Sequence, residues 1–221
     1  MKILKNITVF TMVMLLSVST VLEAREKNIS NFSSSASNLV DSTGTFDGNK
    51  IYADVANNGL FLDYHVSGDS ALEWPKGTGV HSIFQSALWM GATVNGSIRT
   101  IVGDYTQDMG PGPWGGDPLA AVHRIYKVEK SMLASPLDFA DFQEWPVEFG
   151  APWVDVDGDG VYTPLPGGTD HPEFLGDQVL WFVSNDGDPA YKLNFGTSPM
   201  NVEIQTTMFG FDRPDVFGDM V

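Results

Sequence analysis

The chain has 221 residues, with 12 Lys+Arg against 28 Asp+Glu and a formal net charge of −16. So acidic a surface repels phosphate backbones and excludes nucleic acid as a natural partner, while divalent cations are its natural counter-ions. There is no cysteine to form a disulfide, and 12% of the residues are aromatic, including 6 Trp and 14 Phe, enough to fill the core of one domain.

Residues 1–24 carry Lys2 and Lys5, an apolar run from Ile7 to Leu16, and a polar Ser17–Thr20 stretch before Leu22-Glu23-Ala24. That order predicts a cleavable secretory signal peptide. The apolar run falls short of the roughly 20 residues needed to cross a bilayer, so no membrane span is expected after cleavage. Residues 25–45 are rich in Ser and Asn and read as a disordered linker. A β-rich domain is expected over residues 46–221.

Within that domain, Ile51–Val55 and Leu60–Val66 predict two short strands joined through Asn57-Asn58-Gly59. Leu88–Val94 and Ser97–Val102 flank Asn95-Gly96, the pair that a two-residue type I′ hairpin demands. Asp108–Asp117, with Gly-Pro-Gly-Pro-Trp-Gly-Gly inside it, reads as an irregular loop; it lacks the Lys and the following helix of a phosphate cradle. Val122–Val128 reads as a strand. Ser135-Pro136 reads as the N-cap and first position of a short helix that ends at Trp145, before Pro146.

Asp155-Val156-Asp157-Gly158-Asp159-Gly160-Val161 follows. Three Asp at alternate positions, wound in a tight loop, converge their oxygens as a hard cation with six to eight oxygen ligands requires. Gly160 stands where the backbone turns sharply, and Val161 offers its carbonyl. Position twelve, a bidentate Glu in the helical EF-hand, is Pro166, which cannot begin that helix. The closing carboxylate must therefore come from downstream: Asp170 is the nearest, with Glu173 and Asp177 behind it. The expected calcium ligands are Asp155, Asp157, Asp159, Val161 and Asp170; the same residues also suit a solvated acidic turn.

Gln178–Val183 predicts a buried strand, and Met200–Phe211, with its period of two, a half-buried one. Between them Asn185-Asp186-Gly187-Asp188 suits either a turn or a second cation site. The chain stops at Val221 soon after the last strand, which reads as C-terminal truncation. The fold class expected is mainly β: an antiparallel β-sandwich-like domain with a calcium loop and at most one short helix.

Several segments together resemble one family. They are Trp74-Pro75-Lys76-Gly77-Thr78-Gly79, Ile83–Gly91 leading into Val94-Asn95-Gly96, Glu144-Trp145-Pro146 with Gly150-Ala151-Pro152, Asp155–Tyr162, Gly176–Trp181, Asn185–Asp188 and Val202–Gln205. The chain is similar over roughly Phe46 to Phe211 to the N-terminal region of large, mostly uncharacterised exported proteins of gliding-type Gram-negative bacteria. Many of these carry a C-terminal type IX secretion sorting domain, which this sequence lacks. The resemblance implies export to the cell surface or beyond, and it implies no reaction.

No catalytic motif stands out. His65, His81, His123 and His171 have no metal-ligand spacing, and neither a nucleophile elbow nor an HExxH occurs. Of Trp74, Trp89, Trp114, Trp145, Trp153 and Trp181, most are expected in the core and some could form a sugar-stacking platform. The leading expectation is a secreted, calcium-binding, non-catalytic module of a surface protein that serves adhesion or polymer binding. Its candidate partners are calcium, extracellular polysaccharide and other surface proteins. The alternative is the N-terminal part of an exported polysaccharide- or peptide-degrading hydrolase, with two carboxylates across an aromatic cleft or catalytic residues elsewhere.

Overall fold

A computed structural model describes residues 43–63, 70–104, 106–165, 170–194, 197–215 and 220–221. The signal segment 1–24 and residues 25–42 of the expected linker lie outside the described residues, as do His65, Pro166, Gly167 and Gly168. No helix among the described residues is long and apolar enough to cross a membrane.

Strand β13 (Gln178–Asn185) is buried along its whole length. Its sequence is a continuous apolar run with small polar ends, the pattern of a strand covered on both faces. Leu180 and Phe182 face one core, with Phe46, Ile51, Ala53, Val55 and Ile125. Val179, Trp181 and Val183 face the other, with Tyr126, Val128, Phe142 and Trp145. Along one edge β13 pairs with β10 (Tyr126–Glu129) and then, at its end, with β9 (Gly110–Pro111); β14 (Glu203–Gly210) covers the other edge. All of these pairings are antiparallel.

A second antiparallel sheet runs in the order β1 (Thr43–Phe46), β2 (Tyr52–Ala56), β4 (Leu72–Glu73) and β5 (His81–Ile83). It supplies Phe46, Ala53 and Val55 to the core shared with Leu180 and Phe182. Two-stranded ladders join β3 (Leu60–Leu62) to β6 (Ser86–Ala87) and β7 (Trp89–Val94) to β8 (Ser97–Val102). In the latter Val94 faces Ser97, and Asn95 (φ 51°) and Gly96 (φ 78°) both take the positive φ of a type I′ turn.

The structure differs from the sequence reading in several places. Thr43-Gly44-Thr45, at the end of the stretch read as linker, pairs with β2 through backbone bonds that need no apolar side chain. Val122 and His123 lie in a 3-10 turn, with the His123 N–H donating to the Ala120 carbonyl, and the strand begins only at Tyr126. The expected helix is split into a 3-10 turn (Pro136–Asp138) and one α-helical turn, α1 (Ala140–Gln143), by the extended Phe139 (φ −124°). Pro136 does open the first piece, but Ser135 makes no side-chain cap bond. The Asp108–Asp117 loop contains β9. Trp145 and Trp181 are core residues, whereas Trp74, Trp89 and Trp114 are exposed.

The acids after β13 serve the backbone. Asp186, fully buried, accepts the N–H groups of Met200 (2.7 Å) and Val202 (2.8 Å) and so docks the segment leading into β14. Asp188 caps the 3-10 turn Pro189–Tyr191 through the Ala190 N–H (2.8 Å). The cation here is the chain's own: Lys192 Nζ lies 3.0 Å from Asp108 Oδ2 and 3.7 Å from Asp186 Oδ2, and it also donates to the Thr100 carbonyl. Of the two readings of Asn185–Asp188, this geometry is that of the turn.

Lys192→Met strips the ammonium from two buried carboxylates. A variant of this kind loses on the order of 3–5 kcal/mol, read as a lowered urea midpoint with an unchanged slope. A loss below about 1 kcal/mol would show that water already screens these acids.

Candidate metal centre

Asp155, Asp157, Asp159 and Asp170 each offer a carboxylate oxygen, and these oxygens lie within 4.8 Å of one another. A short ladder brings them together across the intervening chain. Strand β11 (Trp153–Val154) pairs antiparallel with β12 (His171–Pro172), Trp153 opposite Pro172 and Val154 opposite His171. The next rung of that register is Asp155 opposite Asp170, so the strand pairing itself closes the loop.

The ladder is fixed to the aromatic core beneath it. Trp145 Nε1 donates to the Pro152 carbonyl (3.0 Å), and the Glu173 N–H donates to the same oxygen (3.0 Å). Tyr162 packs edge-to-face on Trp153, with ring centroids 5.6 Å apart, and its hydroxyl donates to the Phe142 carbonyl (2.6 Å). Burial, with the Asp170 charge adding to it, pushes the Tyr162 phenol far above its ordinary value, so this anchor stays protonated.

Inside the loop the carboxylates hold the backbone. Asp155 accepts from the Gly158 N–H (2.7 Å) through Oδ1 and from the Gly160 N–H (2.9 Å) through Oδ2. Asp157 Oδ1 accepts from the Asp159 N–H (3.1 Å), and Asp159 Oδ1 from the Val161 N–H (2.7 Å). Gly158 (φ 78°) and Gly160 (φ 76°) are both left-handed, which lets the chain wind tightly enough for the three Asp to face one point. Asp155, Asp157, Asp159 and Val161 are exposed, whereas Asp170 is only 1% exposed.

Asp170 closes the loop from below. Its Oδ1 accepts from the Val156 N–H (2.9 Å), and its Oδ2 accepts from the Thr163 N–H (2.8 Å) and the Thr163 hydroxyl (3.2 Å). Glu173 and Asp177 are not brought to the cluster: Glu173 is exposed, and Asp177 Oδ2 accepts from the Asp212 N–H (2.9 Å). The sequence pointed to the loop Asp and to Asp170. It carried no signal for Thr163 or Tyr162, whose roles arise only from the fold.

The electrostatics of the four are uneven. The Thr163 N–H, opposed by desolvation and helped by the Val156 N–H, the Thr163 hydroxyl and the His171 charge, holds the Asp170 carboxyl below the usual range. At Asp157 the Asp159 N–H pulls downward, but desolvation and the charges of Asp159, Asp170 and Asp155 outweigh it and raise the carboxyl. Crowded negative charge is thus already costly at the loop's centre.

Three carboxylates of the broader cleft beside β13, of about 500 Å³, those of Asp47, Glu129 and Asp177, are engaged within the chain. Asp47 Oδ1 accepts from Lys127 Nζ and from Gln178 Nε2 (2.9 Å), and Glu129 Oε1 accepts from Gln178 Nε2 (2.9 Å). Compared with known proteins, the chain matches no family model, no curated protein sequence and no solved structure.

The lowered pKa of Asp170 sets a sign for pH dependence. Its folded value lies below its unfolded one, so the stability it contributes is fully present above the unfolded value and is lost as pH falls through the folded one. In metal-free buffer, Asp170→Asn should melt below the parent at neutral pH. The gap should narrow as pH falls from about 5 to about 3. A gap that stays constant over that range would assign the effect to lost hydrogen bonds alone.

Proposed function

We propose that the chain is a calcium-stabilised, β-rich module of an exported bacterial cell-surface protein, with a structural or adhesive part to play. The two larger sheets, which share the core of Phe46, Val55, Leu180 and Phe182, are read as the halves of a sandwich-like domain. Export and surface location rest on the signal-like residues 1–24 and on the family resemblance.

One observation carries the calcium reading: four carboxylates from two segments lie within 4.8 Å of one another, with a buried one beneath three exposed ones. Like charges so close repel unless a cation neutralises them. The donors are all oxygens, the class that hard cations prefer, and each oxygen of Asp155, Asp157 and Asp159 that accepts a loop N–H, like Asp170 Oδ1, keeps a second lone pair for an ion. Asp155, Asp157, Asp159, Asp170 and the Val161 carbonyl form the proposed ligand set, with water completing it. A loop with waters and flexible carboxylates suits the variable coordination of calcium better than the tight octahedron of magnesium.

The reading makes a test whose sign reverses. Asp157→Asn removes repulsion when no ion is present and removes a ligand when one is. The variant should therefore melt at or above the parent in chelator and below it in millimolar calcium. A variant that shifts the midpoint equally in both buffers would remove calcium from the account.

A further inference from the structure

A second concave site lies at the far end of β13, away from the Asp loop. It is a cleft of about 360 Å³ lined by Trp114, Tyr191, Asp188, Asn185 and glycines, within the ~300–1000 Å³ of ordinary ligand pockets. Its walls are built and held. The pyrrole side of Trp114 lies on Gly187, where a Cβ would come within 2.8 Å of Cδ1 and Nε1. The Tyr191 ring lies on Gly110, where a Cβ would meet Cδ2 at 3.0 Å. Buried Asn185 pins the Trp114 loop by donating from Nδ2 to the Gly112 (2.9 Å) and Pro113 (3.2 Å) carbonyls. The Trp114 backbone N–H donates to Glu203 Oε2 (2.9 Å). Despite these restraints the Trp114 side chain is 60% exposed.

The cleft carries carboxylate acceptors, and several of its amide donors are already engaged. The Gly116 and Gly187 N–H groups are engaged by the Pro113 carbonyl and Asn185 Oδ1 (2.9 Å each), and both Asn185 amide hydrogens are turned to carbonyls. Asp188, in the lining, and Asp117, next to the lining residues Gly116 and Pro118, each use Oδ1 on one backbone N–H, of Ala190 (2.8 Å) and Leu119 (3.0 Å). Burial first, then the charges of Asp188 and Asp117, push the Tyr191 phenol up, so both acids act on the ring that forms one wall. No lining residue is basic, and the nearby Lys192 ammonium is held by Asp108 and Asp186.

We propose that this cleft binds a cationic side chain, an arginine guanidinium or a lysine ammonium, presented by an extracellular polypeptide. Exposed indole attracts a cation over its face, and carboxylates at the rim complement its charge. A guanidinium only donates hydrogen bonds, which suits the carboxylate oxygens at the rim, while its planar face suits the exposed indole. The proposal does not depend on the calcium reading, and its test is run with calcium present so that the Asp loop is in one state throughout.

The test follows the Trp114 indole N–H resonance, assigned with Trp114→Phe, during titration of the chain. The ligands are a Gly-Arg-Gly amide peptide, its neutral citrulline counterpart and cellohexaose. The arginine peptide should shift the resonance with a Kd on the order of 1 mM, and the citrulline peptide should bind about tenfold more weakly. Asp188→Asn, an exposed position, should weaken the arginine peptide about threefold, and raised salt should weaken it further. Equal binding of the arginine and citrulline peptides would overturn the proposal. So would no shift with the arginine peptide at about 10 mM, or a shift with cellohexaose alone.

Discussion

Burial of β13 on both faces is the constraint on which the rest depends. A strand with no solvent on either face must have its N–H and C=O groups paired along both edges, because an unpaired buried backbone group costs about as much as a lost hydrogen bond. β14 meets that demand along one edge, and β10 and β9 share the other. With the edges filled, Leu180 and Phe182 on one face and Val179, Trp181 and Val183 on the other assemble two separate apolar clusters. Both candidate sites hang from this strand. The Asp loop rests on the Trp145–Trp181 side through Trp153 and Tyr162, and the aromatic cleft forms where β13 ends at Asn185.

The two sites use acidic residues in opposite ways. In the Asp loop, the negative charge of four carboxylates is gathered at one point, which leaves room for an external cation. After β13, the same type of acidic turn is neutralised from within by Lys192 and by backbone N–H groups. The difference is burial. Asp186 is fully buried, where an uncompensated charge is too costly to keep. The loop Asp155, Asp157 and Asp159 are exposed and can wait in water for a partner.

The readable parts of the sequence were those set by local chemistry. Asn95-Gly96 specified its hairpin because few residues tolerate two successive positive φ angles. The apolar run of β13 announced burial on both faces, and the alternate Asp with Gly158 and Gly160 announced a wound loop. Asp170 was reachable by reasoning on ligand number alone. The chain could not announce Thr163 or Tyr162 as supports of the loop, since their partners Asp170 and Phe142 are met only through the β11–β12 ladder and the core. Nor does a lysine in a sequence declare that it will be buried between Asp108 and Asp186. Phe139 likewise broke a helix that its neighbours favoured, and a propensity signal over so few residues is weak. Trp114 stays outside the core for an equally non-local reason, held by Gly187 and Glu203 from elsewhere in the chain.

The central claim is that Asp155, Asp157, Asp159 and Asp170 together hold one calcium ion. Calorimetric titration of the metal-free chain with calcium, alongside Asp170→Asn, measures it most directly. The account predicts a single site in the parent and affinity about tenfold weaker or worse in the variant. Heat of binding that is absent in the parent, or unchanged by Asp170→Asn, would contradict it.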